Sequence, residues 1–254
     1  MVMRLESVTF DAIDPAALAQ FWSDALGGWK IDSPGAGEVN LWPPVAAGDS
    51  PLAHHPQLSF VEEGTPDEER VRIHLDLGTE SVEHQQEWVS RLLLLGATPY
   101  DAGQADDSLF TVLADPEGNP FCVLDPRPEY AEPGKIASIV LAAFDAAALR
   151  DTYVAATGWT LVRDDPDFVS LQRPDGHGPL LEILTRPTMS PQTAKNRVHL
   201  DLAPSADLDQ AEVVAELEAL GVRQADIGQT GDESWVVLAD QEDNEFCILS
   251  PRDW

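Results

Sequence analysis

The chain has 254 residues, with 45 aspartates and glutamates against 15 lysines and arginines, so its formal charge is -30 at neutral pH. A surface of that sign repels phosphate backbones and anionic lipid, which excludes nucleic acid and membranes as expected partners. No window reaches the roughly 18 to 20 continuous apolar residues of a spanning helix, and the opening MVMRLESVTFDAIDP has no signal-peptide core, so the cytoplasm is the expected compartment.

In chain order, RLESVTFDAI is β-rich, and DPAALAQFWSDALG is predicted to be a helix, capped by Asp14, opened by Pro15 and stopped by Gly27 and Gly28. Leu18, Phe21, Trp22 and Leu26 recur at helical spacing and give it one apolar face. A stretch rich in Pro and Gly (32–51) precedes the next strands. VRIHLDLG alternates apolar and polar residues, and VEHQQEWVSRLLLLGA reads as a second helix closed by Gly96. LFTVLADPEGNPFCVLD ends as a hairpin, with Asp115-Pro116 and Glu117-Gly118-Asn119 supplying the turn.

The same sentence is then spoken again. VTFDAIDPAALAQFW (8–22) is answered by IVLAAFDAAALRDTY (139–153), GGWKI (27–31) by TGWTL (157–161), VRIHLDL (71–77) by NRVHLDL (196–202), and LADPEGNPFCVLDPR (113–127) by LADQEDNEFCILSPR (238–252). Two homologous domains follow, 1–128 and 134–254, with EYAEPGK as their joint. Inside each, strand, helix and strands occur twice, so four βαβββ modules make an α+β protein.

Several side chains are candidates for chemistry. His74 and Asp76 lie on one face of their strand, as do His199 and Asp201, because alternate residues of a strand share a face. Each histidine is either a hydrogen-bonding or proton-moving group or a core histidine fixed by its aspartate. Cys122 and Cys247 fall inside apolar strands, where small buried filler is the ordinary role of a free cysteine. Trp42 and Phe60 are the aromatic candidates for a cavity wall, whereas Trp88 on its helix is expected to pack. His54 and His55 are adjacent on an extended segment and point to opposite sides, so they do not readily chelate one ion together. No GxxxxGK[ST], GxGxxG or GxSxG occurs, which leaves nucleotide cradles and a nucleophile elbow without support.

The succession DPAALAQFW…GW, HLDL, a helix ending LGA, and LADPEGNPFCVLDP resembles the glyoxalase-like and bleomycin resistance branch of the vicinal oxygen chelate superfamily, once per domain. The resemblance implies that paired βαβββ modules curve into half-open barrels around a small-molecule cavity. It also implies four metal-ligand positions per cavity, on the first and last strands of modules. By half they fall at Ser7, Leu58 or Ser59, His74 and Cys122, and at Ser138, Glu182, His199 and Cys247. Few of these are metal ligands, so the expectation is a metal-independent protein that binds or sequesters a small organic molecule, aromatic or cationic, through His74, Asp76, Cys122, Trp42, Phe60, Glu182, His199, Asp201 and Cys247, with no cofactor. The alternative is a lyase or isomerase of the glyoxalase type, metal-dependent or assisted by histidine, and its metal set would be Glu182, His199 and Cys247. A monomer is expected, since duplication supplies internally what single-domain relatives gain by dimerising.

Overall fold

The computed structural model describes all residues except 1–2, 36, 46–48, 50–51, 53, 64–70, 131–134, 187, 189–194 and 254, so the centre of the EYAEPGK joint lies outside the described residues. The first module comprises β1 (Met3–Ala12), α1 (Pro15–Leu26), β2 (Lys30–Gly35), β3 (Glu38–Trp42) and β4 (Gln57–Glu62). The second comprises β5 (Ile73–Leu77), α2 (Val82–Leu95), β6 (Thr98–Pro99), β7 (Thr111–Ala114) and β8 (Pro120–Val123). A 3-10 turn at Pro128–Tyr130 leads to β9 (Ile136–Ala143), α3 (Ala146–Thr157), β10 (Thr160–Asp165), β11 (Phe168–Gln172) and β12 (Leu180–Thr185). The last module is β13 (Val198–Pro204), α4 (Gln210–Glu218), β14 (Arg223–Gln224), β15 (Val236–Ala239) and β16 (Glu245–Ile248). None of the described helices is long and apolar enough to cross a membrane.

Local chemistry accounts for the helices as expected. Asp14 and Asp145 each accept the backbone N–H three residues on, and Gly96 and Gly158 close α2 and α3 in the left-handed region. The Pro- and Gly-rich stretch is less irregular than its composition suggests, because β2 and β3 form a hairpin inside it, turning through Gly37 at φ 78°.

Strand pairing does not follow the order of the repeat. Sheet I has the order β14-β15-β16-β13-β1-β4-β3-β2, and sheet II has β10-β11-β12-β9-β5-β8-β7-β6. Module 1 thus shares a sheet with module 4, and module 2 with module 3. The two seams are antiparallel: β1 lies against β13 with Ser7 opposite Asp201 and Thr9 opposite His199, and β5 lies against β9 with Asp76 opposite Ser138 and His74 opposite Val140. Each seam carries one bulge, at Glu6 in sheet I and at Ala137 in sheet II.

The halves are also clasped through their hairpins. Asp115 Oδ1 accepts the backbone N–H groups of Glu117 and Asn119, while Oδ2 accepts Asn119 Nδ2 at 2.9 Å and the indole N–H of Trp22 on α1 at 3.2 Å. Asp240 repeats this arrangement with Glu242, Asn244 and the Tyr153 hydroxyl of α3. Glu117 accepts the N–H groups of Ile13 and Asp14, and Glu242 those of Phe144 and Asp145. Arg197, before β13, reaches the Glu117 carbonyl, and Arg72, before β5, reaches the Glu242 carbonyl and Asn244. The recurring DPEGN and DQEDN turns, each with its Asp and Asn buried, are therefore joints between hairpin and helix.

Removing a buried acceptor strands its donors at about 1–3 kcal/mol each, partly offset by relaxation. Asp240→Ala is expected to lower the unfolding free energy by about 3 kcal/mol and Tyr153→Phe by about 1 kcal/mol, as measured by denaturant titration.

Candidate functional site

Each sheet has one face turned to the helices and one turned away. In sheet I, Val8, Phe10, Val39, Leu41, Leu58 and Phe60 enter the main core with Leu18, Phe21 and Trp22 of α1. By alternation the other face, here called the open face, carries Ser7, Thr9, Asn40, Trp42, Gln57, Ser59, His199, Asp201 and Cys247. Phe60 is fully buried, with its ring 5.4 Å from Phe10, so its place on a cavity wall is corrected: its neighbour Ser59 faces outward in its stead. Trp42 is partly buried on the open face.

On sheet I, Asp201 is a saturated carboxylate. Its Oδ2 accepts the Ser7 hydroxyl at 2.7 Å and the Thr9 hydroxyl at 2.6 Å, and its Oδ1 lies 3.4 Å from His199 Nε2. Burial opposes a charged imidazole, but the charge and hydrogen bond of Asp201, joined by Cys247, overcome it and hold His199 well above the ordinary histidine value. Burial likewise opposes ionisation of Asp201, and His199 together with the two hydroxyls outweighs it, leaving Asp201 below the usual carboxylate range. Beyond this pair, Ser59 donates to Asn40 Oδ1 at 2.7 Å, and Gln57, 8% exposed, keeps Oε1 without a hydrogen-bond partner among the described residues.

Sheet II places His74, Asp76, Cys122, Ser138, Ser170 and Glu182 on its open face. His74 Nε2 is 3.3 Å from Asp76 Oδ1, and Ser138 donates to Asp76 Oδ2 at a long 3.3 Å. Val140 stands where sheet I has Thr9, so Asp76 Oδ2 has one hydroxyl donor where Asp201 Oδ2 has two, while the two Oδ1 atoms lie at similar distances from their histidines. Glu182 accepts from Tyr130 at 3.1 and 3.2 Å and from Ser170 at 3.4 Å. Burial, then the nearby charge of Asp76, raises Glu182 above the usual carboxylate range. Burial also pushes both thiols up, Cys122 strongly, so neither is a ready thiolate nucleophile.

The pairing of modules across the halves regroups the expected ligand positions. Glu182 lies on sheet II with His74 and Cys122, whereas His199 and Cys247 lie on sheet I, so the set Glu182, His199 and Cys247 is not brought together. Two other groups are: His74, Asp76 and Cys122, and His199, Asp201 and Cys247, each with its donor atoms within 4.8 Å of one another. These are the nitrogen, oxygen and sulfur donors that zinc takes. On sheet I the fit is poor, since Asp201 is already committed to two hydroxyls and Ser7 and Ser59 occupy the remaining positions. On sheet II it is better, since a single long hydroxyl contact engages Asp76 Oδ2 and Glu182 lies in the same row of the sheet as His74. Asp76, Asp201 and Tyr130 are contacts that the ligand positions alone do not predict; the HxD spacing was the signal for the first two, and a linker tyrosine gave none.

A glyoxalase-like domain model matches residues 7–124 and again 138–249. The chain belongs to the glyoxalase-like domain family. This tandem glyoxalase-like protein superposes on glyoxalase I from Zea mays at a TM-score of 0.64, with 14% identity over 98% of this chain and 92% of that one. It matches a putative dioxygenase from Bacillus subtilis subsp. subtilis str. 168 at a TM-score of 0.61, with 13% identity over 98% of this chain and 85% of that one. A glyoxalase/bleomycin resistance protein/dioxygenase family enzyme from Burkholderia phytofirmans PsJN shares 18% identity over 47% of this chain and 96% of its own, at a TM-score of 0.35. No curated protein matches the sequence. At these identities the two full-length superpositions establish a glyoxalase I-like fold alone, and the chemistry must come from this chain's own residues.

The His199–Asp201 pair sets a pH window. A histidine raised above 6.5 on folding contributes stability that is complete below pH 6.5 and lost as pH climbs through the folded value, while an aspartate held below 3.8 contributes above pH 3.8 and is lost as pH falls through its folded value. The stability difference between wild type and His199→Gln is therefore expected to be largest between pH 3.8 and 6.5 and to shrink as pH rises above 6.5 through the folded value, as followed by urea titration at each pH.

Proposed function

We propose that the protein binds a small organic molecule on the open face of sheet I without a metal, sequestering it rather than transforming it. The observation that carries this reading is the saturation of Asp201 by Ser7, Thr9 and His199, which neutralises the carboxylate at the seam of that face from within the protein. What is left for a ligand is a polar floor, the free Gln57 Oε1 as an acceptor for an N–H or O–H, and the Trp42 ring as a flat wall. A charge of -30 favours cationic or neutral aromatic ligands over anions. In this reading the protein acts in the cytoplasm as a monomer, the two halves 1–128 and 134–254 each lending one module to the binding face.

A second reading, a glyoxalase-type lyase or isomerase, is favoured on sheet II by the weakly held Asp76 carboxylate beside His74 and Cys122, with Glu182 in the same row. A divalent ion held there would supply Lewis-acid polarisation of a carbonyl or of bound water.

Elemental analysis of protein purified without chelator or affinity metal separates the two. Under the first reading no metal rises above background after incubation with zinc, nickel, iron or manganese. Thermal-shift hits among small aromatic and cationic compounds then lose roughly tenfold in affinity in Gln57→Ala and Trp42→Ala. One equivalent of metal, lost in His74→Ala and retained in His199→Ala, would overturn it in favour of the second.

A further inference from the structure

Tyr130 lies in the turn that leaves the first half of the chain, yet it is only 9% exposed. Its ring belongs to a small apolar cluster separate from the main core, formed with Val112, Cys122, Leu124 and Ala137 and flanked by the partly buried Phe110 and Leu180. Cys122 and Val112 are cross-strand partners on the open face of sheet II, and Leu180 is two residues from Glu182 on the same face of β12, so the cluster sits on the site's own floor. The phenol hydroxyl points at both oxygens of the Glu182 carboxyl, at 3.1 and 3.2 Å. Apolar groups around a ring, with one polar group placed to receive its hydroxyl, are the features of a small-molecule site. Here the molecule is a side chain.

We propose that the open face of sheet II is a phenol-binding site, occupied in this structure by Tyr130 as a resident ligand, so that an exogenous phenol and Tyr130 compete for Glu182. The site is distinct from the one assigned to sheet I, where Ser59 stands at the position of Glu182 and Gln57 at that of Leu180. Recognition has two parts. The ring fills apolar space that water does not stabilise, and the hydroxyl adds a closer donor to a buried acid that otherwise has serine hydroxyls alone. Burial and the charge of Asp76 keep Glu182 above the usual carboxylate range, and burial, then the Glu182 charge, keeps the Tyr130 phenol protonated. A neutral phenol therefore suits this position better than a phenolate.

The side chain of tyrosine beyond its α-carbon is 4-methylphenol, which makes Tyr130→Gly the matching vacancy. By isothermal titration calorimetry and thermal shift, Tyr130→Gly is expected to bind 4-methylphenol at least roughly tenfold more tightly than wild type does, because its internal competitor is gone. Toluene, with the same ring and no hydroxyl, is expected to bind Tyr130→Gly roughly tenfold more weakly than 4-methylphenol, and adding Glu182→Ala is expected to erase that preference. A folded Tyr130→Gly that binds neither compound, or both equally, would overturn the proposal. If circular dichroism shows that Tyr130→Gly does not fold, the deciding measurement is nitration of wild-type Tyr130 by tetranitromethane, read by peptide mass spectrometry against Tyr153. A rise in Tyr130 nitration on adding 4-methylphenol supports competition at Glu182, and an unchanged rate refutes it.

Discussion

The antiparallel seams of β1 with β13 and β5 with β9 are the constraint on which the rest of the molecule depends. Each seam is the middle of an eight-stranded sheet and joins residues on opposite sides of the repeat. Met3 pairs with Pro204 and Ile73 with Leu141, so neither sheet closes until distant segments meet. Such non-local pairing costs loop-closure entropy before its hydrogen bonds form, and contacts of this kind slow folding. The hairpin joints counter that cost locally. Asp115 with Trp22 and Asp240 with Tyr153 hold each hairpin to the helix of its own half, so each half presents two edges ready for its partner. Arg72 and Arg197, one residue before each strand, then reach the opposite half's turn. The R-x-H-x-D word thus serves two ends of one strand: its arginine fastens the halves, and its histidine and aspartate face the open side.

The same seam explains why the two open faces differ although their module 2 and module 4 contributions are nearly identical. His74, Asp76 and Cys122 correspond one for one to His199, Asp201 and Cys247. The difference comes from across the seam. Module 1 brings Thr9 and Gln57, where module 3 brings Val140 and Leu180. A second hydroxyl completes the contacts of Asp201 Oδ2, and the apolar Val140 in its place leaves Asp76 Oδ2 with Ser138 as its one hydroxyl donor. At the bulges, sheet I holds Glu6, bound by Arg4 at 3.0 Å and Arg252 at 2.7 Å, and sheet II holds Ala137 against the Tyr130 cluster. Polarity therefore gathers on one face and apolar filling on the other.

Much of this was legible in the sequence. The capped helices, the hairpin turns, the four modules and the family all follow from local patterns, because caps, turns and alternation act over a few residues. The partner of each module did not, since nothing in a strand's own residues states which distant strand it will meet; grouping ligands by half therefore put Glu182 with His199, and the seams separate them. Phe60 was misplaced for a smaller reason. In PQLSFVE the alternation is plain, but either set of alternate residues can face the core, and the choice is made by packing against Phe10 and Trp22. Tyr130 lies in a polar, Pro-rich stretch whose composition says linker, and its role exists only through the carboxyl fifty-two residues further along the chain.

Duplication accounts for why such divergence is tolerated. A buried carboxyl without partners is destabilising by several kcal/mol, so a buried glutamate such as Glu182 must find hydrogen-bond donors around it. Sheet II meets that demand with Ser170 and a tyrosine from the joining segment, while sheet I meets it by replacing the acid with Ser59 and pairing that hydroxyl to Asn40. These are two solutions to one problem, and a chain with a single face would have had to choose between them. With two faces sharing one core, a change that fills or reshapes one leaves the helix-side packing of both intact, because the alternation of each strand keeps Val8, Phe10, Ile139 and Leu141 inward whatever stands on the open side. The fold is held by one set of alternate residues and the binding chemistry by the other, and that separation lets the two faces differ while the backbone does not.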